Sequence, residues 1–151
     1  MKIVLQRVSE ARVEVDGNVV GSISKGLLLL VGIGKGDTEA VLDQMAEKVI
    51  NLRIFPDELG KMNLSLIDVD GAILAVSQFT LFGDVRKGRR PSFEKACPPG
   101  EANLLFDFFV QRLREKVRHV ATGEFGARMQ VYLTNDGPVT LILEHPEGAA
   151  G

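Results

Sequence analysis

The feature that most constrains the fold is Leu27–Val31, five consecutive apolar residues with no polar residue on either face. A strand buried on both faces has this pattern, whereas a strand with one wet face alternates apolar and polar residues. We therefore expect this run to form a central strand. The amino terminus, Met1–Val8, alternates and predicts a first strand, and Arg12–Ser22 with Asp16-Gly17 at its middle predicts a hairpin.

Two segments carry apolar residues at helical spacing and predict amphipathic helices. The first contains Leu42, Met45, Ala46, Val49 and Ile50, and the second, Glu101–Val120, contains Leu105, Phe109, Leu113, Val117 and Val120. Further strands are expected at 72–82, 128–134 and 139–144. This order of elements predicts one α/β domain over residues 1–144, a mixed β-sheet or open barrel with two covering helices. Residues 145–151 are expected to form a disordered tail.

Composition limits the functional classes that this chain can belong to. The 151 residues carry a net charge of -2, so the chain lacks the overall basic charge of many nucleic-acid-binding domains. The longest apolar run, Gly26–Ile33, is far too short to cross a bilayer, and the single cysteine, Cys97, excludes an internal disulfide framework. We expect a cytoplasmic protein with no membrane segment, no cofactor and no metal ion.

The glycine-rich segment Gly32–Asp37 fits neither of two common nucleotide-binding motifs. A dinucleotide fingerprint needs a third glycine where Asp37 stands, and a phosphate-binding loop needs serine or threonine where Gly36 follows the lysine. We interpret the segment instead as the approach to the first helix, with Asp37 or Thr38 as the N-cap.

The segment Leu74–Phe82 places polar side chains in what otherwise has the pattern of a buried strand. An unpaired hydroxyl or amide removed from water costs roughly 1 to 3 kcal/mol. Ser77, Gln78 and Thr80 are therefore either satisfied by neighbours or kept for a ligand. Strict alternation would place Ser77 and Gln78 on opposite faces, so either a bulge re-aims the strand or some residues contribute main-chain groups at its end. We favour the second, with the Phe79 N–H as an oxyanion donor.

The chain offers no conventional general base. His119 lies near the end of the second predicted helix, His145 lies in the tail, and Cys97 is flanked by alanine and proline. An enzyme of this kind would position a reactive ester with hydroxyls and backbone amides, where one oxyanion donor contributes roughly 3 to 4 kcal/mol. Gly137-Pro138 fits a main-chain site, because glycine leaves its backbone open and a cis bond is cheap before proline.

Two segments together resemble the paired motifs of the D-aminoacyl-tRNA deacylase family: Ser77-Gln78-Phe79-Thr80-Leu81 and Asn135-Asp136-Gly137-Pro138-Val139-Thr140. The resemblance also covers Met1–Val8, Gly123–Met129 and a length close to that of the whole chain. Members of this family are chirality-proofreading hydrolases. The resemblance implies a homodimer that cleaves the ester between a D-amino acid and the terminal adenosine of tRNA, and that removes glycine from mischarged tRNA.

The resemblance also implies roles for individual residues. The catalytic pocket is expected to be lined by four consecutive residues: Ser77, Gln78, Phe79 and Thr80. Gly137-Pro138, in a cis peptide, is expected to enter the pocket of the neighbouring subunit, where its carbonyls exclude the side chain of an L-amino acid. Arg7 is expected to hold this Gly-Pro pair in place, and Met129 is expected to pack nearby.

Two mechanisms of ester cleavage remain open from the sequence. Thr80 could attack the ester, although no residue in the sequence is placed to activate its hydroxyl. Alternatively, the 2′-hydroxyl of the terminal adenosine assists, and the protein only orients the ester and a water molecule. The lack of a base favours the second mechanism.

Four cations follow the predicted pocket strand within five residues: Arg86, Lys87, Arg89 and Arg90. Such a run is often only a solvated loop. In a chain with net negative charge it is also the candidate for holding phosphates of the tRNA acceptor end. Two rival interpretations remain, a non-catalytic RNA-binding module and a small thioester hydrolase. The first has little support, because few aromatic residues are available for base stacking.

Overall fold

A six-stranded mixed sheet dominates the structure, a computed structural model that describes residues 1–146. Over these residues the chain forms β1 Lys2–Val15, β2 Asn18–Ile23, β3 Gly26–Gly32, α1 Glu39–Asn51, β4 Phe55–Pro56, β5 Met62–Leu64, β6 Ala72–Ser77, a 3-10 helix Phe79–Phe82, α2 Pro99–Arg114, β7 Val120–Thr122 and β8 Gln130–Glu144. The short strands β4 and β5 form a separate antiparallel pair. No helix in this part of the chain is long and apolar enough to span a membrane.

The long strand β1 organises the sheet. One edge of β1 pairs antiparallel with β8, and its other edge pairs first with β3 and then with β2. β3 pairs in parallel with β6, and β6 pairs in parallel with β7. Gly21 of β2 approaches β7 so closely that a Cβ on it would lie 2.3 Å from the Thr122 carbonyl oxygen. The sheet therefore nearly closes on itself, which confirms the predicted mixed sheet or open barrel.

Buried residues form two clusters, one on each side of the sheet. The smaller cluster fills the interior of the curved sheet and contains Val8, Ala11, Val13, Ile23, Leu28, Leu74 and Val76. The larger cluster lies between the sheet and the two helices. Leu27 and Leu29 of β3 belong to the larger cluster and Leu28 to the smaller. The strand is thus buried on both faces, and the prediction of a central strand is confirmed.

The first helix matches its prediction and the second is shorter than expected. The Thr38 hydroxyl accepts a hydrogen bond from the Val41 N–H at 3.3 Å, which confirms Thr38 as the N-cap of α1. The predicted helix ending at Val120 instead ends at Arg114. Val117 is buried in the turn after α2, and Val120 begins β7. Buried valines at helical spacing thus extended the apparent pattern beyond the real end of the helix.

The strand predictions at 72–82 and 128–144 were only partly correct. β6 ends at Ser77 and gives way to the 3-10 helix, and the two expected carboxyl-terminal strands are one strand, β8, interrupted by a bulge. His145 extends the pairing of the chain ends, since its N–H donates to the Met1 carbonyl at 2.9 Å. The Met1 amine in turn forms an ion pair with Asp37 at 2.9 Å. Residues 147–151 of the expected tail lie outside the described residues.

Candidate active site

A cavity of about 670 Å³ opens where β6 ends. Four residues predicted from the sequence contribute to its wall: Ser77, Gln78, Phe79 and Thr80. The remaining wall is mostly apolar and comes from distant segments, including Phe93, Cys97, Pro98, Phe125 and Met129. A volume of this size lies within the range of small-molecule sites, roughly 300 to 1,000 Å³. The structure therefore brings the Ser77–Thr80 segment and Met129 together in one pocket.

The four residues Ser77–Thr80 can line one cavity because the regular strand ends at Ser77, and not because a bulge re-aims it. Gln78 lies between β6 and the 3-10 helix, and its N–H donates to the Val31 carbonyl at 2.8 Å. The Gln78 carbonyl accepts from the Leu81 N–H at 3.3 Å. The first N–H groups of a helix have no partner inside the helix. Phe79 is the first residue of the 3-10 helix, so its N–H has no partner inside the helix.

Glycines at the end of β3 make room for the 3-10 helix. A Cβ on Gly34 would lie 2.8 Å from the Phe82 ring, and a Cβ on Gly32 would lie 3.1 Å from the same ring. A Cβ contact as short as that at Gly34 is essentially never seen, so this position requires glycine, whereas a Cβ on Gly32 would require the ring to shift slightly. The glycine-rich segment thus packs against the 3-10 helix whose first residues line the cavity. Sequence reasoning rejected the nucleotide motif but missed this supporting role.

The groups that could act on an ester are hydroxyls and amides. The exposed Thr80 hydroxyl accepts a hydrogen bond from the Gln78 amide nitrogen at 3.1 Å. Cys97 lines the same cavity, and its burial together with the nearby Glu101 carboxylate raises the pKa of its thiol. The imidazole of His119 lies 3.0 Å from the Ser22 carbonyl, outside the cavity lining. Among residues 1–146, no acid or histidine hydrogen-bonds the Thr80 hydroxyl.

Aromatic and thioether side chains form the opposite part of the cavity. Phe79 and Phe93 pack edge to face, with ring centroids 5.1 Å apart, and Phe79 remains 56 % exposed. Met129 reaches the cavity past Gly123, where a Cβ would lie 2.5 Å from the Met129 sulfur. Apolar walls of this kind bind planar or aliphatic parts of a ligand because the contact removes apolar surface from water.

Gly137 and Pro138 lie on a bulge of β8 and are both exposed. Gln6 of β1 pairs with Thr140, and the register then shifts, so that the single residue Arg7 faces residues 136–139. The bond between Gly137 and Pro138 is cis, and Gly137 has a φ of 144°. A Cβ on Gly137 would lie 2.9 Å from the backbone nitrogen of residue 139, so glycine is required there.

Two side chains hold this bulge from opposite sides. Arg7 donates from Nε to the Asp136 carbonyl at 2.9 Å and from Nη1 to the Ile54 carbonyl at 2.6 Å, and its side chain is 11 % exposed. On the other side, the Val139 N–H donates to Asn135 Oδ1 at 2.7 Å, and Asn135 Nδ2 donates back to the Val139 carbonyl at 3.2 Å. Sequence reasoning named Arg7 and missed Asn135 as a clamp.

Neither the Gly-Pro pair nor Arg7 lines the cavity of its own chain. Arg7 pairs with Leu27 of β3, whereas the cavity begins at Ser77 of β6, which pairs with Val31. Four residues along a strand and three strand spacings across the sheet correspond to roughly 20 Å along its surface. Within one chain, the structure therefore separates the bulge from both the cavity and Met129.

The basic run lies in the loop between the 3-10 helix and α2. Arg86 is already engaged, since its guanidinium makes two hydrogen bonds to Asp84 at 2.9 and 2.7 Å and holds the pKa of that carboxyl far below its usual range. Lys87, Arg89 and Arg90 are exposed. The four cations are therefore unequal as candidates for binding an anion.

Two solved structures have the same overall fold as this chain. One, described as a probable eukaryotic D-amino acid tRNA deacylase, aligns with a TM-score of 0.80 at 18% identity, covering 94% of this chain and 97% of that chain. Another, described as c-Myc DNA Unwinding Element Binding Protein, aligns with a TM-score of 0.92 at 44% identity, covering 97% of this chain and 99% of that chain. The class is thus a small α/β domain of the deacylase fold.

Sequence comparison narrows this class to a family. The family model for D-Tyr-tRNA(Tyr) deacylase matches residues 4–144. A protein of Kosmotoga olearia named D-aminoacyl-tRNA deacylase is 60% identical over 144 residues, covering 95% of this chain and 97% of that protein. A protein of Geobacter metallireducens with the same name is 59% identical over 151 residues, covering 100% of both chains. The chain belongs to the D-Tyr-tRNA(Tyr) deacylase family, which confirms the resemblance described above.

Proposed function

We propose that this chain hydrolyses the ester bond of D-aminoacyl-tRNA, and of mischarged glycyl-tRNA, to release free tRNA and the amino acid. The carrying observation is a cavity with a strand-end N–H, two hydroxyls and an amide, and no acid or histidine within hydrogen-bonding distance of Thr80 among residues 1–146. Such a site suits a bond that is already reactive, as an aminoacyl ester is. Membership of the family and the names of the relatives support the same substrate.

The proposed enzyme is a homodimer in which each cavity is completed by the partner's Gly137-Pro138 bulge. The bulge is exposed, held by Arg7 and Asn135, and lies roughly 20 Å along the sheet from the cavity of its own chain. A two-fold axis would place the same surface of both copies in contact, so each bulge could enter the other copy's cavity. Sedimentation should find a dimer at assay concentration, and a fully selective monomer would refute this arrangement.

The proposed basis of chiral selection is steric and acts through main-chain atoms. Gly137 presents its backbone without a side chain, and Arg7 fixes the carbonyl that precedes it. Placed against the α-carbon of the substrate, rigid carbonyls would exclude the substituent of an L-amino acid and leave room for hydrogen. This filter accepts any D-amino acid and also glycine, because it recognises no particular side chain.

In the proposed chemistry the protein positions the ester and stabilises the developing oxyanion. The Phe79 N–H is the candidate donor, because Phe79 begins the 3-10 helix and lines the cavity. Gln78 orients the Thr80 hydroxyl, which then holds the ester or the attacking water. Within residues 1–146 no acid or histidine hydrogen-bonds the Thr80 hydroxyl and could activate it as a nucleophile, so we assign activation to the adjacent 2′-hydroxyl of the tRNA.

The choice between these mechanisms is tested with one variant and one modified substrate. Thr80→Ala should keep measurable deacylation, and a D-aminoacyl-tRNA ending in 2′-deoxyadenosine should be hydrolysed far more slowly than the natural substrate. Equal rates on the two substrates, together with complete loss of activity in Thr80→Ala, would reassign Thr80 as the nucleophile.

The function itself is tested by hydrolysis of D-tyrosyl-tRNA and L-tyrosyl-tRNA in parallel. A deacylase of the proposed kind cleaves the first and spares the second. Cleavage of neither would favour a nucleic-acid-binding protein, an interpretation to which the name of one solved relative lends some support. Cleavage of a free thioester in preference to both would favour a metabolite hydrolase. We further propose that the enzyme acts in the cytoplasm, where aminoacyl-tRNA is made and used.

A further inference from the structure

Two lysines stand opposite one another at the rim of the cavity. An antiparallel bridge joins the segment after β3 to the segment before α2, and within it the Lys35 N–H donates to the Lys95 carbonyl at 2.9 Å. The next hydrogen bond of this bridge runs from the Cys97 N–H to the Ile33 carbonyl at 3.0 Å, and both of these residues line the cavity. The lysine pair is therefore attached directly to the cavity wall.

The bridge brings two positively charged residues to facing backbone positions. Like charges placed directly opposite on adjacent strands repel one another. Both side chains are exposed, and within residues 1–146 neither ammonium forms an ion pair or a hydrogen bond. Arg86, which lies earlier in the same loop as Lys95, differs, since Asp84 forms an ion pair with it at 2.7 Å. In a chain of net charge -2, two exposed cations on facing residues favour an anionic ligand at this position.

One further cation lies close to this corner, together with several acids. Lys2 Nζ lies 5.4 Å from the centre of the Phe82 ring, the ring that packs on the same segment after β3. Lys95 also contributes to the lowered pKa of Asp84, so this carboxylate, which Arg86 already binds, offsets part of the Lys95 charge. The nearby Asp37 carboxylate is paired with the Met1 amine, and Glu94 and Glu101 are the other acids close to this corner.

We propose that Lys35 and Lys95 together bind a backbone phosphate at the 3′ end of the tRNA while the terminal ester occupies the cavity. This inference rests on the proposed function, because a polynucleotide joined to that ester has to leave the cavity over its rim. Lysine binds phosphate as a compact point charge, and one phosphate between two ammonium groups would relieve their repulsion. The pair adds a phosphate contact by residues other than the basic run Arg86–Arg90, although Lys95 belongs to the same loop.

The test is the salt dependence of tRNA binding. For the double variant Lys35→Ala/Lys95→Ala, the slope of log K against log salt for uncharged tRNA should flatten by about 0.7, the value for one phosphate contact on a single strand. The double variant Lys35→Arg/Lys95→Arg should keep the wild-type slope. The matched control is Lys116→Ala/Arg118→Ala, which removes the same charge near Glu47 and Asp70, away from the cavity.

A second readout separates phosphate binding from an effect on the cavity. The ratio of kcat/KM on D-tyrosyl-tRNA to kcat/KM on D-tyrosyl adenosine, which has no phosphate, should fall in Lys35→Ala/Lys95→Ala and stay constant in the control. An unchanged salt slope, or an equal flattening in the control, would overturn the inference. A wild-type chain that hydrolyses neither ester would instead overturn the proposed function, so the two failures are distinguishable.

Discussion

The cavity segment and the Gly137-Pro138 bulge are both short irregular pieces beside regular strands, yet they are held in opposite ways. The 3-10 helix is held by close packing, with the Phe82 ring lying against backbone that only glycine leaves open. The bulge is exposed and held by hydrogen bonds from Arg7 and Asn135. A change of volume should therefore disturb the first region, and removal of a polar group should disturb the second.

The same contrast has a functional side under the proposed mechanism. Damage to the cavity should slow hydrolysis of every substrate by a similar factor, because all substrates use the same oxyanion donor. Damage to the bulge should change the ratio of D to L hydrolysis, because the bulge meets only the α-carbon substituent. Rate and selectivity are thus separable, and each variant below is chosen to affect one of them.

The largest effect is expected from Arg7→Ala. This change removes hydrogen bonds to the Asp136 and Ile54 carbonyls, and such bonds from a charged group are worth roughly 1.5 to 3 kcal/mol each. We expect the free energy of unfolding in urea to fall by roughly 3 kcal/mol and the D to L ratio to collapse. Arg7→Lys keeps the charge but loses the paired donors of the guanidinium. Its stability and D to L ratio should therefore lie between those of the wild type and Arg7→Ala. An unaltered D to L ratio would argue against the bulge as the filter.

The next effect is expected from Gly34→Ala. Its Cβ would lie 2.8 Å from the Phe82 ring, and overpacking of this kind costs roughly 1 to 3 kcal/mol. Displacement of the 3-10 helix should lower kcat on D-tyrosyl-tRNA and glycyl-tRNA together, with the D to L ratio unchanged. Gly100→Ala is the matched control, because a Cβ there meets nothing within 4 Å. A selective loss of L rejection in Gly34→Ala would contradict the division between the two regions.

A smaller effect is expected from Asn135→Ala. The change leaves the Val139 N–H and carbonyl without the Asn135 side chain, at a cost of about 1 kcal/mol for each neutral hydrogen bond removed. L-tyrosyl-tRNA hydrolysis should rise in parallel assays while D-tyrosyl-tRNA hydrolysis falls little. Thr140→Val, which removes one acceptor of the Asn135 amide, serves as the milder comparison. An equal loss of activity on both substrates would mean that Asn135 contributes only to the stability of the fold.

The smallest effect on the folded enzyme is expected from the basic loop. Arg89→Ala/Arg90→Ala should leave unfolding unchanged and flatten the salt dependence of tRNA binding by about 0.7 to 0.9 for each phosphate that the loop no longer binds. Arg86→Ala should flatten it less, because Arg86 is already paired with Asp84. A salt slope that is equal in both variants and the wild type would remove this loop from the tRNA-binding surface.

The secondary-structure elements that are determined by their local sequence could be predicted. The strand at Leu27–Val31 and the buried stripe of α1 follow from local periodicity, and the Thr38 cap follows from side-chain chemistry. The end of β6 at Ser77 was not predictable, because it depends on glycines some 45 residues earlier in the chain that accept the Phe82 ring. The end of α2 was missed because Val117 is buried by tertiary packing outside the helix.

The residues of the candidate site also divide into those that the local sequence predicts and those that only the fold brings together. Ser77, Gln78, Phe79 and Thr80 are consecutive, so their common location at the cavity could be expected from the sequence. Phe93, Cys97 and Phe125 share no pattern with them, and only the fold brings them to the same wall. The bulge at Gly137 could be anticipated from its glycine and proline, whereas the register shift that sets it opposite Arg7 is visible only in the paired strands.

The most direct test of a filter shared between two copies is L-tyrosyl-tRNA hydrolysis by purified mixed dimers. One subunit carries Gln78→Ala and Phe79→Pro, the second of which removes the proposed oxyanion-donor N–H, to disable its cavity. The other carries Gly137→Ala to disable its bulge. The account predicts that the surviving cavity, completed by the intact bulge of the other subunit, spares L-tyrosyl-tRNA and cleaves D-tyrosyl-tRNA. The filter would not be shared if the mixed dimer hydrolysed L-tyrosyl-tRNA as fast, per intact cavity, as a dimer in which both subunits carry Gly137→Ala.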